Sequence, residues 1–178
     1  FTSIINTPLV WINLLLPQEE IFIRRRRSVN NEYYMKRALE LAEKAFDAGE
    51  VPVGCVIVSP DGDIIGCGRN MREEKKSAVS HAEIEAIETA CRKTGDWRLS
   101  GCSMFVTLEP CPMCAGAIIN SRISKLVYGA KDEISGSCGS VINLFMENYG
   151  HSPQVFGGVM ERECAGILQE FFEKLRLK

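Results

Sequence analysis

The residues best equipped for chemistry are Cys111 and Cys114, in the stretch Thr107-Leu108-Glu109-Pro110-Cys111-Pro112-Met113-Cys114-Ala115-Gly116-Ala117. The prolines mark a helix start, and on a helix residues three apart share a face, so both sulfurs can reach one metal ion. A Cys-x-x-Cys pair alone is shared by redox motifs and structural zinc knuckles. Upstream, Ser80-His81-Ala82-Glu83 opens a second helical pattern. One imidazole and two thiolates leave a tetrahedral zinc one ligand short, and an open position is where a catalytic zinc holds water. Glu83, two residues beyond His81, is then a carboxylate able to shuttle that water's protons.

Each residue also has a plainer reading. His81 is one of two histidines and alone would be an ordinary hydrogen-bonded residue. Ser80-x-x-Glu83 fits a capping box, in which Ser and Glu each satisfy a backbone N–H at a helix start. The order His-x-Glu then Pro-Cys-x-x-Cys, however, is the signature of zinc nucleobase deaminases. With it, zinc is the reading adopted, and Ser80 can still cap while Glu83 faces the metal. A structural zinc site closes with four protein ligands. His151 lies in a loop far along the chain and Cys102 lacks ligand-like spacing, so the site reads as open and catalytic.

These motifs sit in 178 residues, 46% apolar and 25% charged, enough for one domain with a real core. A net charge of −2 excludes a broad basic surface, so any nucleic-acid contact must be local. Cys55 and Cys67 fall in strand-like apolar runs and are expected to pack as small hydrophobes, as are Cys91, Cys138 and Cys164. A Cys-x-x-Cys that must stay reduced favours a cytoplasmic setting over a disulfide framework.

Residues 1–30 differ from the rest and are expected to form a poorly ordered extension. Pro8–Leu16 is too short to span a bilayer, and Arg24–Arg27 follow the apolar run where a signal peptide's charge would precede it. No membrane association is expected. The extension carries four Arg and two Glu, which leaves −4 on the domain at 31–178.

From Asn31, helical spacing of Tyr34, Ala38, Leu41, Ala42, Ala45 and Phe46 ends at Gly49. Val53–Val58 and Asp63–Cys67 read as strands joined by the turn Pro60-Asp61-Gly62. A polar loop is predicted over Asn70–Ser80, then a helix over His81–Lys93 with Ile84, Ala86, Ile87 and Ala90 available for burial. The strand Met104–Thr107 delivers the chain to the Cys-x-x-Cys helix, which runs to about Ser121. A strand at Lys125–Tyr128, a glycine-rich region, a short strand at Gln154–Phe156 and a helix at Glu161–Leu175 complete the pattern. This order implies helices on both faces of a mixed sheet.

From Asn31 to Leu175 the chain resembles the bacterial tRNA-specific adenosine deaminases. The resemblance rests on Glu50-Val51-Pro52-Val53-Gly54, Gly68-Arg69-Asn70, His81-Ala82-Glu83-Ile84, the Cys-x-x-Cys stretch above, Asn120-Ser121-Arg122-Ile123, Val127-Tyr128-Gly129-Ala130-Lys131-Asp132, Gly139-Ser140 and Glu170-Phe171-Phe172. It implies a three-layer α/β/α, cytidine deaminase-like fold with a central mixed five-stranded sheet, a homodimer, and conversion of the wobble adenosine of a tRNA anticodon loop to inosine. It further implies one zinc per subunit on His81, Cys111 and Cys114, with Glu83 moving the protons. Asn70 matches the position that hydrogen-bonds the flipped nucleotide, its plainer reading being a turn residue. Asp132 matches a loop position near the substrate, with a solvated carboxylate as the equal alternative. Of Phe171 and Phe172, one is expected in the core and the other, Phe172, against the anticodon stem-loop beside Lys174 and Arg176; the plainer reading has both as docking residues.

The chain departs from the resemblance where many members read Asp-Pro-Thr-Ala and this one has Ser77-Ala78-Val79-Ser80. Gly68–Arg72 with Ser77-Ala78 is also similar to fungal cytosine deaminases, which keeps deamination of a free base, cytosine or guanine, as the alternative. A third reading, a non-catalytic RNA-binding subunit of the same fold, is opposed by the presence of Glu83.

Overall fold

Helices and strands alternate so that each strand's side chains, pointing to opposite faces, find cover on both. The computed structural model describes residues 30–177. The extension expected at 1–30 lies outside the described residues but for Asn30.

The elements are α1 (Asn31–Asp47), β1 (Gly54–Val58), β2 (Ile64–Arg69), α2 (Arg72–Lys75), α3 (Ala82–Thr94), β3 (Ser103–Leu108), α4 (Pro112–Asn120), β4 (Lys125–Ala130), a 3₁₀ turn (Leu144–Met146), β5 (Gln154–Phe156) and α5 (Glu161–Arg176). The strands form one sheet in the order β2-β1-β3-β4-β5. β1 runs antiparallel to β2 and β3, and β3, β4 and β5 run parallel, which gives the expected mixed five-stranded sheet.

Cys55, Ile57, Met104, Val106 and Leu126 face α3 and α4, packing with Ala82, Ala86, Ala90, Ala115 and Ile118. Their alternates Val56, Val58, Phe105 and Val127 face α1 and α5, packing with Tyr34, Met35, Ala38 and Cys164. Both layers sit close because glycine faces alanine: a Cβ on Gly54 would fall 2.0 Å from Ala38 O, and one on Gly68 2.1 Å from Ala82 O. α1 ends at Asp47, with Gly49 at φ 75° in the turn that stops it, and the Tyr34 hydroxyl donates to Gly62 O at 2.8 Å, tying α1 to the hairpin. No helix among the described residues is long and apolar enough to cross a membrane.

Four local expectations are corrected. The polar loop 70–80 contains the short helix α2, held where the buried Glu50 Oε1 accepts the Glu74 N–H at 2.8 Å. The capping box does not form: His81 is the N-cap of α3, extended at φ −81°, ψ 155°, with no side-chain cap bond. Ser80 precedes the cap because the turn Val79–His81 closes there, His81 N–H to Val79 O at 2.8 Å. Cys67 is exposed and not a core residue, since α3 covers the Gly66 and Gly68 face of an edge strand and Cys67 points to the other. Ile84 and Ile87 are only half-buried, because the alanines of α3 make its contact with the sheet.

Candidate metal centre and active site

Two helix starts converge to build the site. β3 delivers Cys111, the N-cap of α4 at φ −73°, ψ 172°; Pro112, with φ pre-set for a first helical position, begins the helix, and Cys114 follows in its first turn. At the neighbouring α3, His81 is the N-cap and Glu83 lies in the first turn. Helix N-termini carry partial positive charge, which favours thiolates and carboxylates there.

His81 Nδ1 lies 3.7 Å from Cys111 Sγ and 3.6 Å from Cys114 Sγ. Bond lengths of about 2.0 Å to nitrogen and 2.3 Å to sulfur at tetrahedral angles put N and S about 3.5 Å apart, so the donor set fits a zinc-like ion. The three ligand atoms all lie within 4.8 Å of one another, and this is the one such His/Cys/Asp/Glu group among the described residues. The other histidine, His151, has its Nε2 2.7 Å from Ile123 O and plays no part in the site.

The electrostatics suit a cation. The hydrogen bond from Cys114 overcomes burial and, with one from His81, lowers the Cys111 thiol to about 4. Cys114 goes up, chiefly because it donates to that thiolate, then through its burial and the nearby Glu83 carboxylate. A divalent ion displaces such a proton when thiols become ligands. The bond to Cys111 raises the His81 imidazole. Burial raises the Glu83 carboxyl, the direction that suits a group exchanging protons near neutrality.

These side chains open onto a cleft with a cavity volume of about 100 Å³. Val51, Val53 and Leu108 give it apolar walls; Asn70, His81, Glu83, Cys111 and Asp132 supply polar groups. Asn70 is mostly buried and lines the cleft, and its side-chain amide, which makes no hydrogen bond among the described residues, keeps its polar atoms accessible. Asp132 lines the cleft and also caps its own turn, Oδ1 accepting the N–H groups of Ile134 at 2.9 Å and Ser135 at 3.1 Å. Phe172 is not in the cleft: it is 45% exposed on α5, edge-on to the buried Phe171, which packs against Phe46.

Sequence reasoning missed Glu109 and Arg72, both of which line the cleft. Glu109 is buried, and its carboxylate accepts from the backbone of Cys138 at 2.8 Å, Ser140 at 3.2 Å and Asp132 at 3.2 Å, and from the Ser140 hydroxyl. Burial opposes its charge, but those donors outweigh burial and leave the carboxyl below its ordinary value. It thereby holds the 132–140 loop over the cleft. The available signal was a lone carboxylate directly after the strand-like run Met104–Leu108.

A family model described as MafB19-like deaminase matches residues 29–176. The tRNA-specific adenosine deaminase of Bacillus subtilis (strain 168) is 47% identical over 149 residues, 83% of this chain and 92% of its own length. A solved structure from studies of A-to-I editing by tRNA:A34 deaminases at the wobble position of transfer RNA matches with TM-score 0.73 and 41% identity, covering 76% of this chain and 98% of its own. The guanine deaminase of Nitrosomonas europaea shares the fold, with TM-score 0.72 at 24% identity over 88% of this chain and 93% of its own. Family model, relative and solved structure agree with the donor set and the layered sheet: the chain belongs to the MafB19-like deaminases and, among them, to the tRNA-specific adenosine deaminases.

Proposed function

We propose that this protein is a zinc-dependent hydrolase that converts the wobble adenosine of a tRNA anticodon loop to inosine. The observation that carries this reading is the convergence of His81, Cys111 and Cys114 on one cleft with the buried carboxyl of Glu83. Zinc held by the His81 Nδ1 and the two sulfurs would supply the Lewis acidity that brings a water's pKa toward neutrality.

The chain's own groups do the rest. Glu83 accepts a proton from the attacking water as its oxygen bonds to C6 of adenine, and passes that proton to ring N1. It then carries the second proton of that oxygen to the amino nitrogen, which leaves as ammonia as the C6 carbonyl of inosine forms. Asn70, with an unpartnered amide, orients the flipped nucleoside, and Val51, Val53 and Leu108 exclude bulk water from the base. Asp132 bounds the cleft on the loop that Glu109 holds. Phe172, exposed on α5 near Lys174 and Arg176, is proposed to touch the stem-loop outside the cleft.

The homodimer is part of the same proposal, supported by the exposed apolar residues Ile134, Val141, Met146 and Tyr149 between β4 and β5. A cytoplasmic setting is supported by the eight cysteines, all unpaired.

The test is inosine formation in an anticodon stem-loop bearing a wobble adenosine, with free cytosine, guanine and adenosine in parallel. Conversion of the stem-loop, abolished by Glu83→Gln while RNA binding persists, is the expected result. Turnover of a free base beside an untouched stem-loop would overturn the reading.

A further inference from the structure

Resting on that reading, we propose that Arg72 is a specificity-determining residue that grips a phosphodiester of the strand carrying the target nucleoside.

The charges around Arg72 are already matched to one another. Arg69 pairs with Glu74 at 2.5 Å, Lys75 with Glu85 at 2.6 Å, and Lys76 with Glu73 at 3.5 Å. Arg72 is exposed, stands next in sequence to two glutamates, and yet its guanidinium makes no hydrogen bond or ion pair among the described residues. It is also the one Lys or Arg among the residues lining the cleft.

Its backbone, by contrast, is fixed. Arg72 O accepts the N–H groups of Lys76 and Ser77, the latter at 3.1 Å. The preceding Met71 N–H donates to Ser80 O at 3.0 Å, and the buried Glu50 accepts the Glu74 N–H at 2.8 Å. With the backbone held and the guanidinium unpaired, only the rotamers of the Arg72 side chain remain to be ordered when it meets an external anion.

The cleft's own anions do not satisfy it. Glu109 and Asp132 are held by donors from the 132–140 loop, the Cys111 sulfur is engaged with His81 and Cys114, and Glu83 is buried beside them. A free base or nucleoside brings no anion to this cation, whereas a base presented by a strand arrives with a phosphate on either side. A planar guanidinium matches two phosphate oxygens. Arg72 therefore favours a nucleotide in a chain over the same base free, and helps place the base within reach of Glu83.

The test measures stem-loop binding in the non-converting Glu83→Gln background across a salt series, alongside kinetics in the active protein. Arg72→Ala is expected to reduce the slope of log affinity on log salt by about 0.7, the value of one phosphate contact on single-stranded nucleic acid. It should raise KM for the stem-loop about tenfold, with kcat moving much less, as loss of one charge-assisted contact implies. Arg72→Lys, which keeps the charge, should retain the salt slope. A stem-loop with neutral methylphosphonate linkages flanking the target adenosine should bind the unsubstituted protein more weakly, with no further loss on Arg72→Ala. An unchanged slope and KM in Arg72→Ala, or additive losses from substitution and neutral linkage, would overturn the assignment. A protein that leaves the unmodified stem-loop untouched would instead overturn the functional reading beneath it.

Discussion

His81 Nδ1 and Cys114 Sγ stand 3.6 Å apart although 33 residues separate them in the chain. The contact joins the starts of α3 and α4, and it exists because β2, β3 and β4 all run the same way and lie in that order across the sheet, so that two crossovers of one hand put both helices on one face. A metal held there would link the two helix starts.

Metal removal follows directly. The protein is expected to carry about one zinc per chain, as a three-ligand site with an open position would. A chelator should lower both metal content and Tm, and Cys114→Ser should do the same without chelator. Cys67→Ser, at an exposed position on an edge strand, should keep the metal and stay within about 0.5 kcal/mol in stability. Metal content by emission spectroscopy with thermal melts checks both substitutions.

The anchored loop should be pH-dependent. Glu109 is depressed in the folded protein by its donors, so it contributes stability that is present above the unfolded carboxyl value and lost as pH falls through the folded one. Glu109→Gln, which sets an NH₂ against those donors, should cost about 2–3 kcal/mol at neutral pH. The gap should narrow below about pH 4, where the unsubstituted protein loses the same contribution. Denaturant unfolding of the two proteins from acid to neutral pH measures this.

Two glycines should respond oppositely to alanine. On Gly68 the new methyl would meet Ala82 O at 2.1 Å and Ala86 N at 2.5 Å, pushing away the helix that carries His81 and Glu83. Gly68→Ala should cost about 1–3 kcal/mol from overpacking and reduce metal content in parallel. On Gly166, exposed in α5 with nothing within 4 Å, Gly166→Ala should add about 0.5–1 kcal/mol through helix propensity. Unfolding free energies separate the two.

The paired phenylalanines of α5 should divide their effects. Phe171 is 6% exposed and sits against Phe46, so Phe171→Ala should cost about 3–5 kcal/mol. Phe172 is 45% exposed, so Phe172→Ala should cost under about 1 kcal/mol and show its effect in stem-loop affinity instead. Thermal melts and an RNA-binding titration read the two effects independently.

The sequence by itself determined the elements and the four candidate site residues. Short apolar runs bounded by turn residues specified the strands, helical spacing specified α1, and Gly49 marked a helix end because its positive φ is cheap only for glycine. His81, Glu83, Cys111 and Cys114 were legible because their spacing is local within each helix start, and local spacing survives in one dimension. Tertiary structure alone decided which nitrogen of His81 faces the sulfurs, that the α3 cap is His81 and not Ser80, and that Cys67 points out of an edge strand. It alone showed that Glu109 gathers donors 23 to 31 residues downstream, and that Arg72 is left unpaired while its neighbours pair off. Those outcomes depend on which distant groups arrive beside a residue once the sheet is assembled, and a carboxylate or guanidinium has the same local sequence whether its partner arrives or not.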